Sequence, residues 1–553
     1  MRFLAAILFV PALLAQSPAK IQVNLAQAAG ALPPIWSFFG HDEPNYTYMK
    51  DGRRLLTELA ALSPVPVYMR VHSLLVTGDG KASFKWGSTN AYTEDANGKP
   101  VYDWTIIDRI FDSYMERHMK PLVQIGFMPQ ALSTHPEPYQ HHWKPGDNYN
   151  DIYTGWAYPP KDYAKWGELV FQWVRHSVEK YGRPEVETWL WEVWNEPNIA
   201  YWKGTPEEYQ KLYDYSVDAV KRALPTARVG GDDSTGPAGA GAGAFLRAFL
   251  NHVLHGTNYV TGKTGSPLDF VSFHAKGAPR FVDGDVVMGI QNQLRDLNAG
   301  FEIIASFPEL KNKPIVIGES DPEGCAACSS RVSPQNAYRN GLMYPSYTAA
   351  VMPRHLDLAA RHGVNLLGAV TWAFEFEDQP YFDGFRDLAT NGVDKPVLNV
   401  FRMLGMMTGA RASVENPDAA PLDEMLRTGV KQKPDLHAMA SIDAHSAAVL
   451  ISNYHDSAKP GPAAPVDLTI SGLPGGRLQL QHFRVDESHS NSYDAWKKMG
   501  SPQQPEATQY AALESAGQLQ MLDSPRWITS SNGTVHLAFD LPLHGVSLIR
   551  VTW

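Results

Sequence analysis

The sequence predicts an α/β protein, a (β/α)8 (TIM) barrel followed by a C-terminal β-sandwich. Three observations carry this expectation. Eight apolar, strand-like runs end in polar or aromatic groups and alternate with helix-like segments, which implies a parallel sheet. Near Ala412 that alternation stops, and short alternating runs separated by Gly, Pro and Asp take over. The chain, at 553 residues, is too long for one simple core and calls for two domains, one of them barrel-sized.

Taken in order, the chain opens with MRFLAAILFVPALLA, in which Arg2 precedes a short apolar run, as in a secretory signal. The run is too short to span a bilayer comfortably, and no other stretch qualifies. Residues 1–19 are therefore assigned to a signal and short tail, with cleavage after Ala15 or Ala19, and a secreted or periplasmic location is expected. Residues 20–34 hold a strand-like piece, Ile21 to Leu25, expected to pair with the sandwich. The barrel is assigned to 35–411. Its strands are IWSFFG, ending at His41, Asp42 and Glu43; VYMRVHSLL, with Arg70 and His72; PLVQIGFMP, with Gln124; WLWEVWNEP, with Asn195 and Glu196; ARVGGDDS, with Asp232 and Asp233; DFVSFHAKG, with His274 and Lys276; PIVIGES, with Glu319; and LGAVTWAFEFED, with Trp372, Glu375 and Glu377. Helical spacing marks 106–119, 163–181, 207–224, 245–254 and 396–407, with Asp162 and Thr205 as N-caps. The phosphate-binding glycine pattern of an open doubly wound sheet is absent. GPAGAGAGA (236–244) reads as a flexible loop that lacks the Lys and Ser/Thr of a P-loop. The long segment from His135 to Pro160 is rich in Trp and Tyr and falls where barrel enzymes keep functional loops. Its adjacent His141 and His142 are a poor geometry for a shared metal. The sandwich is assigned to 412–553, from runs such as AAVLIS, VDLTI and VSLIRVTW. In CAAC, Cys325 and Cys328 have no second pair to complete a structural zinc site, so in an exported protein a short disulfide loop is expected.

Composition narrows the partners. A net charge of −10 gives no support for binding nucleic acid or an anionic membrane. The 15 Trp and 24 Tyr include flat faces suited to sugar rings, although most must serve the core. The chemistry points the same way. Breaking a glycosidic bond takes two carboxyl groups, one protonating the departing oxygen and the other attacking the anomeric carbon or activating water. Glu196 and Glu319 close the fourth and seventh strands, across the barrel mouth from each other. Trp191, Trp194 and Trp202 are expected to desolvate Glu196, and Arg70 or Lys276 to keep Glu319 ionised. Asn195 is placed to hold the sugar 2-hydroxyl.

These residues resemble glycoside hydrolase family 39, which holds β-xylosidases and α-L-iduronidases. The xylosidase likeness lies in RVHSLL (70–75), LVQIGFMP (122–129), PPKDYAKWGELV (159–170), WEVWNEPN (191–198), DFVSFHA (269–275) and VDESHSNSYDAWKKMGSP (485–502). It implies a retaining, exo-acting hydrolase with Glu196 as acid/base and Glu319 as nucleophile, and sugar contacts from Arg70, His72, Asn195, His274 and Trp372. It implies no metal or organic cofactor. Two stretches depart from the xylosidase pattern, HAKG (274–277) and GESDP (318–322), and both are closer to the iduronidases, as is GTNYVTGKTG (256–265). Lys276 matches the position where an iduronidase holds the substrate carboxylate, and Arg280 or Arg386 offers a second cation. The alternative for Lys276 is a salt bridge to Glu319 or Glu377. Glu377 and Asp378 read as contacts to outer hydroxyls or as solvated loop acids. The expected activity is thus of β-xylosidase type, with an iduronidase-like uronide hydrolase as runner-up. A non-catalytic carbohydrate-binding protein would have lost one of the two glutamates, and both are present.

Overall fold

The structure is a computed structural model and describes residues 17–553, so most of the expected signal lies outside the described residues. The first strand, β1 (Ala19–Ala31), precedes the barrel. The barrel strands are β2 (Phe38–His41), β3 (Tyr68–Val71), β4 (Lys120–Ile125), β5 (Leu190–Val193), β6 (Arg228–Ser234), β7 (Phe270–Lys276), β8 (Pro314–Asp321) and β9 (Asn365–Ala369). They pair in parallel, each with its neighbour in sequence. The ring closes where Thr371, just past β9, donates to Phe38 and accepts from Gly40, each bond 2.9 Å long. Gly40 is required at this seam, because a Cβ there would collide with the Trp372 ring.

A helix follows every barrel strand: α1 (Lys50–Ala60), α2 (Thr105–Met115), α3 (Tyr163–Tyr181), α4 (Pro206–Ala223), α5 (Ala240–His255), α6 (Ile290–Ala305), α7 (Met343–His362) and α8 (Pro396–Gly405). Asp162 caps α3 by accepting from the amides of Ala164 and Lys165, and Thr205 forms a capping box with Glu208 on α4. Each cap contributes about 1 kcal/mol. The sequence pattern marks five of these helices and misses α1, α6 and α7. α7 is buried on nearly every side, so it has no polar stripe to set a period. α6 carries Gln293 on its core face, where it bonds Ser320 and Tyr347. Residues 240–244, expected in a flexible loop, form the start of α5.

The second unit is one continuous sheet that folds over its own core. Its main strands are β10 (Ala410–Glu415), β11 (Asp435–Ile442), β12 (Ser446–Tyr454), β13 (Ala464–Ser471), β14 (Arg477–Val485), β15 (Thr534–Leu541) and β16 (Val546–Thr552). β1 sits inside this sheet, antiparallel to β10 and parallel to β13. Alternation does the sorting: Val466, Leu468 and Ile470 of β13 meet Ile21, Val23 and Leu25 of β1 in the sandwich core. β12 and β16 are buried on both faces, one face toward that core and the other toward the barrel side, where Leu450 and Leu548 join the barrel's apolar cluster. Arg354 of α7 pairs with Asp435 of β11 at 2.8 Å and ties the two units together.

Candidate active site

The C-terminal ends of β3, β5, β6, β7 and β8 converge on a single polar cluster, as the barrel geometry requires. After β5 the chain turns sharply: Trp194 (φ 70°) and Glu196 (φ 44°) both take left-handed backbone conformations. Side chains rarely adopt these angles, and such strain concentrates at functional sites. The Trp194 amide bonds Ile125 O at 3.1 Å and the Glu196 amide bonds Asp233 O at 3.0 Å, which fix the turn.

His274 joins the two glutamates. Its Nδ1 lies 2.9 Å from Glu196 Oε1 and 4.0 Å from Glu319 Oε1, and its Nε2 lies 3.0 Å from Asp233 Oδ2. The two carboxylates therefore face each other across one ring nitrogen, no farther apart than those two spans laid end to end. Glu319 also pairs with Lys276 through Oε2, while Arg70 Nη1 stands 3.6 Å and His72 Nε2 3.7 Å from its Oε1. Burial works against charge on Glu319. Lys276, then His274, His72 and Arg70, overcome it and hold the carboxyl well below its usual range. Glu196 has no Lys or Arg partner among the described residues and is more exposed, at 15% against 6% for Glu319. β8 can approach this cluster only because residue 318 is glycine, since a Cβ there would collide with Asp233 Oδ1.

Most of the expected site residues meet here. Asn195 accepts from Arg70 Nη2 at 3.1 Å through Oδ1, which also lies 3.0 Å from His72 Nε2. The Trp372 ring packs 4.3 Å from His72, and its Nε1–H donates to Asp42 at 3.2 Å. Other expectations need correction. Arg70 and His274 have no exposed side-chain surface, and each is bonded to carboxylates of the cluster. Arg70 takes Glu192 at 2.5 Å as well as Asp233. The tryptophans expected around Glu196 pack elsewhere: Trp191 against Trp173 and Trp189, and Trp194 against Trp166 and Trp202. Glu377 and Asp378 do not join the cluster. Glu377 faces the amides of Asp51 and Gly52 at the start of α1, and Asp378 is exposed in a separate groove with Lys50 and Tyr381. Arg280 lies exposed on a hairpin, whereas Arg386 is buried against Glu323 and the Trp372 carbonyl. Cys325 and Cys328 form a disulfide.

Sequence reasoning gave no role to Asp42, Glu43, Lys85, Glu192 or Asp233. Four of them stand in or next to the barrel strands, which is a usable signal. Lys85 comes from a loop, and nothing in the sequence ties it to the site. Its Nζ lies 2.7 Å from Asp42 Oδ2. A small cavity of about 20 Å³ opens beside this pair, lined by Glu43, His72, Trp86, Phe127, Trp156 and Tyr201 among others. Trp156 belongs to the aromatic segment from His135 to Pro160, which thus forms part of the wall.

A model of the glycosyl hydrolases family 39 matches residues 19–532. The chain belongs to that family. This glycoside hydrolase is 27% identical over 545 residues to a beta-xylosidase from Caldicellulosiruptor saccharolyticus, spanning 96% of this chain and 98% of that one. It is 26% identical over 582 residues to an alpha-L-iduronidase from Mus musculus, spanning 99% and 83%. Its fold matches the crystal structure of a monomeric beta-xylosidase from Caulobacter crescentus CB15 with a TM-score of 0.74 at 22% identity, over 97% and 99% of the two chains. As a family 39 enzyme it acts on a carbohydrate. Among the described residues no helix is long and apolar enough to cross a membrane.

The charges at the centre of the site make a prediction about pH. Burial lowers the affinity of His274 for its proton, but Asp233, then Glu319, together with hydrogen bonds to Asp233 and Glu196, raise its pKa from 6.5 to about 10. A raised folded pKa means that this group's stabilisation is fully present below pH 6.5 and is lost as pH rises through about 10. Glu319 works in the opposite sense: its contribution is present above 4.5 and is lost as pH falls through its depressed value. The melting temperature is therefore expected to decline between pH 6.5 and 10, and to decline less steeply in His274→Gln. Equal slopes in the two proteins would show that His274 does not carry the charge.

Proposed function

We propose that this family 39 enzyme is a retaining, exo-acting glycosidase of β-xylosidase type, exported to act on polysaccharide fragments. The observation that carries the mechanism is the His274 bridge. Retaining enzymes hold their carboxyls about 5–5.5 Å apart and inverting enzymes about 6.5–9.5 Å. Two oxygens at 2.9 and 4.0 Å from one nitrogen cannot reach most of the inverting range. In this reading Glu319, kept ionised by Lys276 and its neighbours, attacks the anomeric carbon as the bond to the leaving oxygen breaks. Glu196 gives its proton to that oxygen. Water then attacks the glycosyl–Glu319 ester, Glu196 takes up the water's proton, and Glu319 departs as a carboxylate. The Asn195 Nδ2, which has no hydrogen-bond partner among the described residues, remains available for the 2-hydroxyl.

The glycone follows from Lys276. β-D-Xylosides and α-L-iduronides share their arrangement at the anomeric carbon and differ at C5, which bears hydrogen in one and a carboxylate in the other. Because Lys276 is engaged by Glu319, its charge is already answered within the protein, which favours the neutral sugar. A second reading, an iduronidase-like uronide hydrolase, draws support from Arg386, whose Nη2 is buried without a hydrogen bond near Trp372. Hydrolysis of matched aryl β-D-xyloside and α-L-iduronide separates the two. The xyloside is expected to be preferred, and Lys276→Ala to lower its turnover about 100-fold and move the acid limb of the pH–rate profile upward. Preference for the iduronide, lost selectively in Lys276→Ala, would establish the second reading.

A further inference from the structure

The turn after β2 places Asp42 and Glu43 between two small cavities, the one beside Lys85 and a second of about 10 Å³ lined by His41, Trp372, Glu375 and Arg386, each with room for about one water or one hydroxyl. Both residues line both cavities. Asp42 Oδ2 takes Lys85 Nζ at 2.7 Å, and its Oδ1 takes the indole N–H of Trp372 at 3.2 Å and lies 3.5 Å from His72 Nδ1. His72 in turn places Nε2 3.7 Å from Glu319 Oε1. Asp42 therefore stands one imidazole beyond Glu319. A pyranose whose anomeric carbon lay over Glu319 would have to reach past His72 and Trp372 with its far hydroxyls to meet Asp42.

Glu43 adds the observation that points to a ligand. It is 3% exposed, and its Oε2 is buried without a hydrogen-bond partner among the described residues. A buried carboxyl oxygen left unpaired is costly unless something else completes it. Burial, and then Asp42, raise the Glu43 pKa well above the ordinary range despite Lys85, so it stands as a neutral acid able to donate. Lys85 and Asp42 cancel each other's charge. These three residues thus offer an acceptor, a cationic donor and a neutral donor with no net charge among them, while Arg386 across the second cavity is answered by Glu323. Such a set matches hydroxyls and is poorly matched to an anion. A buried ion pair costs desolvation on both sides, and its retention at a cavity wall fits a role in specificity.

We propose that Asp42, Glu43 and Lys85 bind the hydroxyls of the glycone farthest from the scissile bond and select an uncharged sugar. This rests on the glycosidase reading above and adds the residues that choose the sugar.

The test compares kcat/KM for an aryl β-D-xyloside with its 3-deoxy and 4-deoxy forms, in wild type, Asp42→Asn, Glu43→Gln and the double variant Lys85→Met/Asp42→Asn. The double variant removes both charges together, so it avoids stranding a buried carboxylate as Lys85→Met alone would. Wild type is expected to lose about 100-fold on at least one deoxy substrate, because the wall groups are left unpaired. The variants should lose activity on the intact xyloside, mainly through KM, and show a deoxy penalty smaller by about tenfold or more. Equal deoxy penalties in wild type and in the folded double variant would overturn the proposal, as would a wild type indifferent to both deoxy forms. A wild type that ignores xyloside but cleaves a neutral hexoside sinks the xylosidase reading alone, and the same comparison then runs on that hexoside and its deoxy forms. Preference for a uronide over every neutral glycoside overturns both.

Discussion

Glu319→Ala is expected to lower kcat by about four to six orders of magnitude, the scale seen when a covalent nucleophile is removed from a preorganised site. The structure gives the reason for so large a loss. Lys276, Arg70, His72 and His274 all face this one carboxylate. Deleting it removes the group that forms the glycosyl–enzyme bond and leaves those donors aimed at an empty position. Binding should survive, because Trp372, Asn195 and the wall around Asp42 are untouched. KM on an activated aryl glycoside should therefore change far less than kcat. Sodium azide or formate, small enough to enter the vacated space, should restore part of the rate by attacking the anomeric carbon in place of the carboxylate. The rescued azide product would carry the opposite anomeric configuration to the substrate. Near-normal turnover without added anion would refute the nucleophile assignment. Glu196→Ala should behave differently, losing most on substrates with poor leaving groups, which need the proton, and least on activated ones.

Arg70→Met should be the most destabilising single change at the site, by about 3–5 kcal/mol, the cost of breaking a buried ion pair from one side. Arg70 is fully buried and bonds Glu192, Asp233 and Asn195. Methionine fills much of the same volume but leaves two buried carboxylates facing each other. Burial already raises Glu192 to about 7 in spite of Arg70. Without that cation, Glu192 and Asp233 must share or take up protons. Urea denaturation at neutral pH should show the loss, and acidification should reduce it as the carboxyls are neutralised. Arg70→Met with Glu192→Gln should recover part of the stability. If Arg70→Met matched wild type in the urea midpoint, Arg70 would not be the hub of the site.

Much of this site could be read from the sequence because barrel enzymes place their chemistry at strand ends. Glu196, Glu319, Asn195 and His274 all end apolar runs, and that context, together with the family resemblance, brought them together. What escaped notice did so for physical reasons. Lys85 reaches Asp42 from the long connection between β3 and α2, residues 72–104, whose path no periodicity encodes. Glu192 sits inside a strand and looks like one of its alternating positions, yet it faces Arg70. Glu377 ends the same run as Trp372, but β9 stops at Ala369 and the chain after it turns toward α1, carrying Glu377 away. α7 hid for the opposite reason, since burial on all sides erases the stripe by which a helix is recognised. The turn of small residues at 240–244 reads as loop because glycine weakens a helix, yet the packed length of α5 outweighs that local preference.

The position of β1 bears on how the chain is made. It leaves the ribosome ahead of the whole barrel, yet its partners β10 and β13 are made after it. At roughly 5–20 residues per second, the strand waits on the order of a minute while the whole barrel is synthesised between them. During that interval Ile21, Val23 and Leu25 have no core to enter, and the strand's amides and carbonyls are open on both edges. The barrel can close on its own neighbour-to-neighbour pairings, whereas the sandwich must recapture a segment tethered at its far end. The slowest step in maturation is therefore expected to be the docking of this strand, and a nascent chain halted before residue 410 should expose it to chaperones or to aggregation.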